Sequence, residues 1–188
     1  MKPGVLVLIA LVIIGFVFGG QVVSARNEMV VKKNAIEGQW AQVENAMTRR
    51  ADLIPNLVET VKGFAKQEQK VFGDIAAARS GMLSAGTPQE KVQANGALEN
   101  VLGRLLMLQE NYPQLKSDKN FMDLQNQLEG AENRIAVERR KYNEAIQDYN
   151  TYIEIFPKNI AASLFGFARN DNYFKAEPAA KQVPKVSF

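Results

Sequence analysis

The sequence predicts an all-α chain: an N-terminal transmembrane helix, a long antiparallel up-and-down helical bundle, and an extended C-terminal tail. Three observations predict it. An uncharged apolar run opens the chain, apolar residues then recur at steps of three and four from Met29 to Phe156, and prolines with capping residues divide that pattern into segments. Strict alternation, the mark of a half-buried strand, is absent from these series.

The opening run, MKPGVLVLIALVIIGFVFGGQVVSA, has no charge between Lys2 and Arg26. Gly4 to Val23 is 20 residues, and at about 1.5 Å per residue that length matches a hydrocarbon core of about 30 Å. A cleaved signal peptide competes with this reading, because Lys2 supplies a basic start and Val23-Ser24-Ala25 resembles a small-residue cleavage site. The apolar run exceeds the length of a signal-peptide core, so a retained single-pass anchor in a bacterial-type inner membrane is expected. Lys2 on one side and Arg26, Lys32 and Lys33 on the other give only a slight bias toward a cytoplasmic body.

Beyond the anchor, Ile36, Trp40, Val43, Met47 and Ile54 form a first stripe, and Leu57, Val61, Phe64, Val71, Ile75, Ala78 and Met82 a second. Leu98, Val101, Leu105, Leu108 and Tyr112 make a third, and the series from Phe121 through Ile135, Tyr142 and Tyr149 to Phe156 a fourth. Each has charged residues opposite, as bundle helices require. Gly86-Thr87-Pro88-Gln89-Glu90 reads as a helix stop followed by an N-cap, a first-turn proline and a capping-box glutamate. Tyr112-Pro113 predicts a helix end near Asn111 and Asp118 a new start; Phe156-Pro157 closes the fourth helix. In RRADLIPNLVETVKGFA, Asp52 is expected to cap a fresh helix with Pro55 in its first turn, the alternative being one long helix kinked at Pro55. The domains expected are a membrane anchor over 1–25, an antiparallel bundle over 26–157, and a short apolar helix with an extended tail over 158–188.

Composition excludes much chemistry. The 188 residues contain no cysteine and no histidine, removing thiolate nucleophiles, zinc-thiolate sites and the usual physiological general base. No Gly-rich phosphate loop, G-x-S-x-G or calcium-loop motif is present, and no enzymatic activity, metal or cofactor is expected. The 23 basic and 20 acidic residues interleave at a net charge of +3, which argues against a nucleic-acid surface. Arg134, Arg139, Arg140 and Lys141 lie among Glu132, Glu138 and Glu144, so helical ion pairs are expected there, with a partly buried Arg134 pair to another helix as a further possibility. Tyr142, Tyr149 and Tyr152 fall on the apolar stripe and are expected in the core with wet hydroxyls.

The interaction candidates are Arg49 and Arg50, expected exposed at a bundle end, and Phe165, Phe167, Phe174 and Phe188, whose segment is too apolar for a free tail. That segment is expected either to wrap back on the bundle or to dock on a neighbour or membrane surface. The expected partners are membrane lipid, a second copy of the chain and, in the adaptor reading, a membrane protein, with no nucleic acid.

Several runs carry a family resemblance. Gln39-Trp40-Ala41-Gln42-Val43, the stretch Arg49–Ala65, Glu132-Asn133-Arg134-Ile135-Ala136-Val137, Arg139-Arg140-Lys141-Tyr142-Asn143, Phe156-Pro157, Leu164-Phe165-Gly166-Phe167 and Val183–Phe188 resemble the LemA family over nearly the whole chain. The resemblance implies a bacterial single-span membrane protein with a long antiparallel helical bundle and no established enzymatic activity. It also implies kinship with proteins associated with magnetosome membranes. Two functions follow as expectations: a self-associating membrane scaffold, or an adaptor presenting clients or signals to a membrane enzyme such as a protease.

Overall fold

A computed structural model describes residues 3–174, and the side chains of Val5, Val7 and Ala10 lie outside that description. The described chain is all-helical: α1 (Pro3–Phe64), α2 (Gln69–Ser84), α3 (Pro88–Asn111), α4 (Pro113–Lys116), α5 (Lys119–Glu154) and α6 (Lys158–Phe165). It divides into two compact units. One joins α1 up to Gln39 with the chain from Arg140 onward, and the other is Trp40–Arg139.

In the Trp40–Arg139 unit, α2, α3 and the facing parts of α1 and α5 enclose Met47, Ile54, Leu57, Ile75, Met82, Leu98, Leu105, Phe121 and Ile135, all essentially inaccessible to water. Burying each such side chain contributes about 1.5–3 kcal/mol relative to exposure, before the entropy of ordering it. Cross-helix contacts give the directions. Glu44 with Lys91 at 2.8 Å and Gln67 with Tyr112 at 2.7 Å run α3 parallel to α1. Asp74 with Arg104 at 3.0 Å, beside Glu68 with Tyr112 at 3.1 Å, runs α2 antiparallel to α3.

The expected caps are present. Thr87 Oγ1 accepts the Glu90 N–H at 3.2 Å while Glu90 Oε2 accepts the Thr87 N–H at 3.0 Å, a reciprocal capping box with Pro88 at the first helical position. The Gly86 and Thr87 N–H groups lower the Glu90 carboxyl pKa. Asp118 Oδ1 accepts the Phe121 N–H at 2.8 Å and caps α5.

Two boundaries differ from the sequence reading. The second stripe is not one helix, because the chain breaks between Phe64 and Gln69; the Gln67 and Glu68 side chains there turn to the Tyr112 hydroxyl. Conversely, no turn begins at Asp52: α1 continues through Pro55 for 62 residues. The reason is a substituted hydrogen bond. Proline at 55 leaves the Ala51 carbonyl without its i+4 donor, and Arg79 of α2 supplies one, donating Nε–H to Ala51 O at 2.9 Å. The same guanidinium lies 3.6 Å from Asp52. A helix-interior proline is tolerated because a neighbouring helix satisfies the freed group.

In the other unit, Met29 and Ile36 of α1 and Tyr142, Ile146, Tyr149 and Ile153 of α5 are buried. Gly166 ends α6 in the left-handed region at φ 72°, and the Phe167 N–H returns to Ala162 O at 2.9 Å, a glycine stop that redirects the chain. From Phe167 to Phe174 the chain has no regular secondary structure and lies as a strap on α5.

The N-terminal segment is helical from Pro3. Among the described residues no helix is long and apolar enough to cross a membrane, so the transmembrane helix expected from Gly4 to Val23 is not supported there.

Candidate functional site

Two polar places stand out in the Trp40–Arg139 unit, both built on the Arg49-Arg50 pair. Adjacent residues on a helix point about 100° apart, so the two arginines meet different surroundings. Arg50 falls in step with Val43, Met47, Ile54, Leu57 and Val61 and is carried into the core, 3% exposed, which corrects its expected exposure. There Asn95 Oδ1 of α3 accepts from Nη2 at 2.6 Å, and Glu132 of α5 forms an ion pair with Nη1. Asn95 is fully buried, Glu132 is partly exposed, and among the described residues Arg50 Nε and Asn95 Nδ2 have no hydrogen-bond partner. Three helices thus converge on one guanidinium. Such a pair adds little net stability over an apolar replacement, but each half is costly to leave alone, so it discriminates against wrong helix registers.

Arg49 is exposed and opens into a groove of about 610 Å³ between α1 and α5, lined also by Gln42, Asn45, Gln127 and Arg134. Among the described residues the groove's lining holds two cations and no carboxylate, with the Arg134 charge shared by Glu138 beside it. Arg134 does not pair with another helix as sequence spacing allowed; its partner is Glu138, one turn on, at 2.9 Å. Arg140 and Glu144 likewise stand 4.0 Å apart at i,i+4 spacing.

The aromatic candidates belong to the other unit. Phe165 is 40% exposed, with the Arg26 guanidinium 5.6 Å above its ring. Phe167 is half-buried at the start of the strap. Phe174, also half-buried, meets Tyr142 edge to face at 5.4 Å. Phe188 lies outside the described residues. Of the two fates expected for the tail, wrapping back is what Phe167–Phe174 does.

Two asparagines missed by sequence reasoning hold the strap. Asn143 accepts the Phe174 N–H and donates to the Phe174 carbonyl, both at 2.9 Å. One heptad later Asn150 does the same to Asn170, at 2.9 and 2.7 Å, and is buried at 3% exposure. The neighbouring Tyr149 donates its hydroxyl to Ala168 O at 3.0 Å. The signal was a repeated dipeptide, Tyr142-Asn143 and Tyr149-Asn150, two helical turns apart and so on one face. Burial raises the pKa of both tyrosines. Among the described residues no group of three or more acidic, histidine or cysteine side chains is placed to hold a metal ion.

Residues 39–188 match the LemA family. The chain belongs to that family. The match includes both arginines, the strap and its clamps. Among curated proteins, the chain is similar to magnetosome protein MamQ 2 of Paramagnetospirillum magneticum, 27% identical over 179 aligned residues that cover 81% of this chain and 65% of that protein. It is 26% identical to magnetosome protein MamQ of Magnetospirillum gryphiswaldense at the same coverage. Protein LemA of Metamycoplasma hominis is 23% identical over 141 residues, covering 74% of this chain and 64% of that protein. The chain therefore spans just under two thirds of the length of these relatives.

Proposed function

We propose that this LemA-family chain is a non-enzymatic, membrane-anchored helical scaffold whose α1 crosses the bilayer once. One observation carries the reading. Between Leu6 and Val23, α1 leaves Leu8, Leu11, Ile14, Phe16, Phe18 and others 53–83% exposed, apolar on all sides. A helix apolar all round requires a protein interior or lipid, and the described chain provides no interior there. The test is extraction of membranes at alkaline pH. Full-length protein is expected to stay with the lipid, and release into the supernatant would overturn the anchor.

Self-association is part of the proposal, on different grounds from those expected at first. The aromatic strap no longer argues for it, since Tyr142, Asn143 and Asn150 already cover that segment. The support is Gly15 and Gly19, four apart in the apolar run, with open space at both Cβ positions; this spacing lets membrane helices approach closely. Crosslinking in native membranes should give a dimer or larger species that Gly15→Ile/Gly19→Ile loses, and a protein monomeric at all densities would overturn it.

A second reading, an adaptor for a membrane protein, is favoured by the Arg49 groove. Two guanidinium groups with amide neighbours suit an acidic partner segment. Arg49→Glu should lower recovery of such a partner from membranes, and undiminished recovery would remove this reading.

A further inference from the structure

Helix α6 exposes its large residues and buries its small ones. Ala161 and Ala162 face inward at 3% and 4% exposure, while Ile160 and Leu164, one turn apart, stand 51% and 71% exposed. Phe156, at the corner leading into the helix, is 79% exposed and Ile155 44%. A helix whose outer face met water would place alanines outside and isoleucine, leucine and phenylalanine inside.

The alanines let α6 seat closely on α1. Phe18, Val22 and Ala25 of α1 and Pro157, Ile160 and Ala161 line one groove of about 260 Å³. The exposed face of α6 therefore continues the apolar surface of α1 at the end of its uncharged run. Cations and aromatic rings ring the same place. Arg26 stacks on Phe165 at 5.6 Å, and Lys158 and Lys32 lie 3.9 and 5.5 Å from the Tyr152 centroid. The carboxylates near this place are Glu154, the last residue of α5, which shares Arg169 with Asp171, and Glu28, which lies close enough to add to burial in raising the Tyr152 pKa. An apolar wedge with a collar of rings and long cationic side chains is the chemistry of the bilayer's headgroup level.

We propose that the α5–α6 corner is an interfacial lipid-binding surface: Phe156, Ile160 and Leu164 enter the headgroup–acyl boundary of the bilayer that α1 crosses, and Arg26 and Lys158 contact lipid phosphates. The inference rests on the anchor reading above. It makes the span and the corner a two-point attachment, which fixes the tilt of the unit containing both. A single span alone leaves that tilt free.

The chain has no cysteine, so single-cysteine variants of the full-length protein can be labelled with an environment-sensitive fluorophore in vesicles of zwitterionic and anionic phospholipid. Leu164→Cys reports the corner, Leu11→Cys the span, and Glu144→Cys, ten residues back along α5 from its end, the water-facing control. The expected result is blue-shifted Leu164→Cys emission, quenched severalfold more strongly by lipid spin-labelled near the headgroup than Glu144→Cys is. Leu11→Cys should be quenched by label deep in the chains. Water-like, unquenched Leu164→Cys with Leu11→Cys still quenched would overturn the corner and leave the anchor standing. Loss of quenching at both would overturn the anchor and the corner together. A blue-shifted Leu164→Cys that no lipid label quenches, and that turns water-like on diluting protein into excess lipid, would identify a second copy as the occupant and overturn the lipid surface. Replacing anionic by zwitterionic lipid should weaken the Leu164→Cys signal, and Arg26→Gln/Lys158→Gln should abolish that lipid dependence.

Discussion

Pro55 and Arg79 should be energetically coupled although they lie on different helices. Arg79→Met removes the donor that replaces proline's missing N–H and strands the carbonyl of Ala51, a residue with no exposed surface. An unsatisfied buried carbonyl costs about 1–3 kcal/mol. The Arg79 side chain is 31% exposed, which lets water replace part of the bond, so a loss of about 1–1.5 kcal/mol is expected. Pro55→Ala alone restores the backbone donor and removes the ring clash, stabilising by up to about 3 kcal/mol. In that background Ala51 O has its own i+4 partner. Arg79→Met then removes only the bond's surplus and the solvent-facing Asp52 pair, about 0.5 kcal/mol. The cycle should close with a coupling of about 0.5–1 kcal/mol. Denaturant unfolding of the four full-length proteins in micelles measures it. Trp40, the only tryptophan and in the same unit as both residues, reports the transition. Equal losses from Arg79→Met in the two backgrounds would refute the substitution account of Pro55.

Other outcomes follow from the same contacts. Glu132→Gln should destabilise by about 2–3 kcal/mol, because it leaves the buried Arg50 charge with amide partners only, whereas Arg50→Met/Glu132→Gln should recover only part of that loss, since removing the charge also leaves the buried Asn95 Oδ1 without its donor; denaturant midpoints decide. Asn150→Ala should cost about 1–3 kcal/mol through its three lost strap bonds, two to Asn170 and one to the Tyr173 hydroxyl, and speed both amide exchange of Asn170 and cleavage after Arg169, with Asn143→Ala acting at Phe174. Raising pH should detach the strap through Tyr149: burial raises its folded pKa above the unfolded 10.0, so the folded state holds the proton longer. Stability is then unaffected below pH 10 and falls as pH climbs from there through the folded value. Exchange at the strap, compared with Tyr149→Phe, which keeps the parallel contribution of Tyr142 and loses that of Tyr149, checks the sign.

How much of this was legible depended on how far each feature's cause lay along the chain. Local causes were readable: Thr87-Pro88-Gln89-Glu90 contains its whole capping box within four residues, and Asp118 caps the amide of Phe121 three residues on. Arg50 was legible in principle, since the steps 43, 47, 50, 54, 57, 61 place it on the apolar stripe; treating it as a pair with Arg49 hid the phase that buries one and exposes the other. The Tyr-Asn repeat was legible in the same way, as a heptad whose polar member has no reason to face a core without a backbone to hold.

Pro55 was of another kind. Whether a proline ends a helix depends on whether something donates to the carbonyl four residues back, and here the donor lies 28 residues from that carbonyl on a separate helix. The local rule assigned the right cost; the tertiary contact offset it. The same logic makes the Asn clamps, the Arg50 cluster and the Arg79 bond alike in purpose. In a fold of helices with interchangeable apolar stripes, burial alone tolerates a slide of one turn, while a directional bond to one named backbone group does not. Register in this chain is therefore carried by a few polar contacts, and substitutions there should disorder the packing before they unfold the helices.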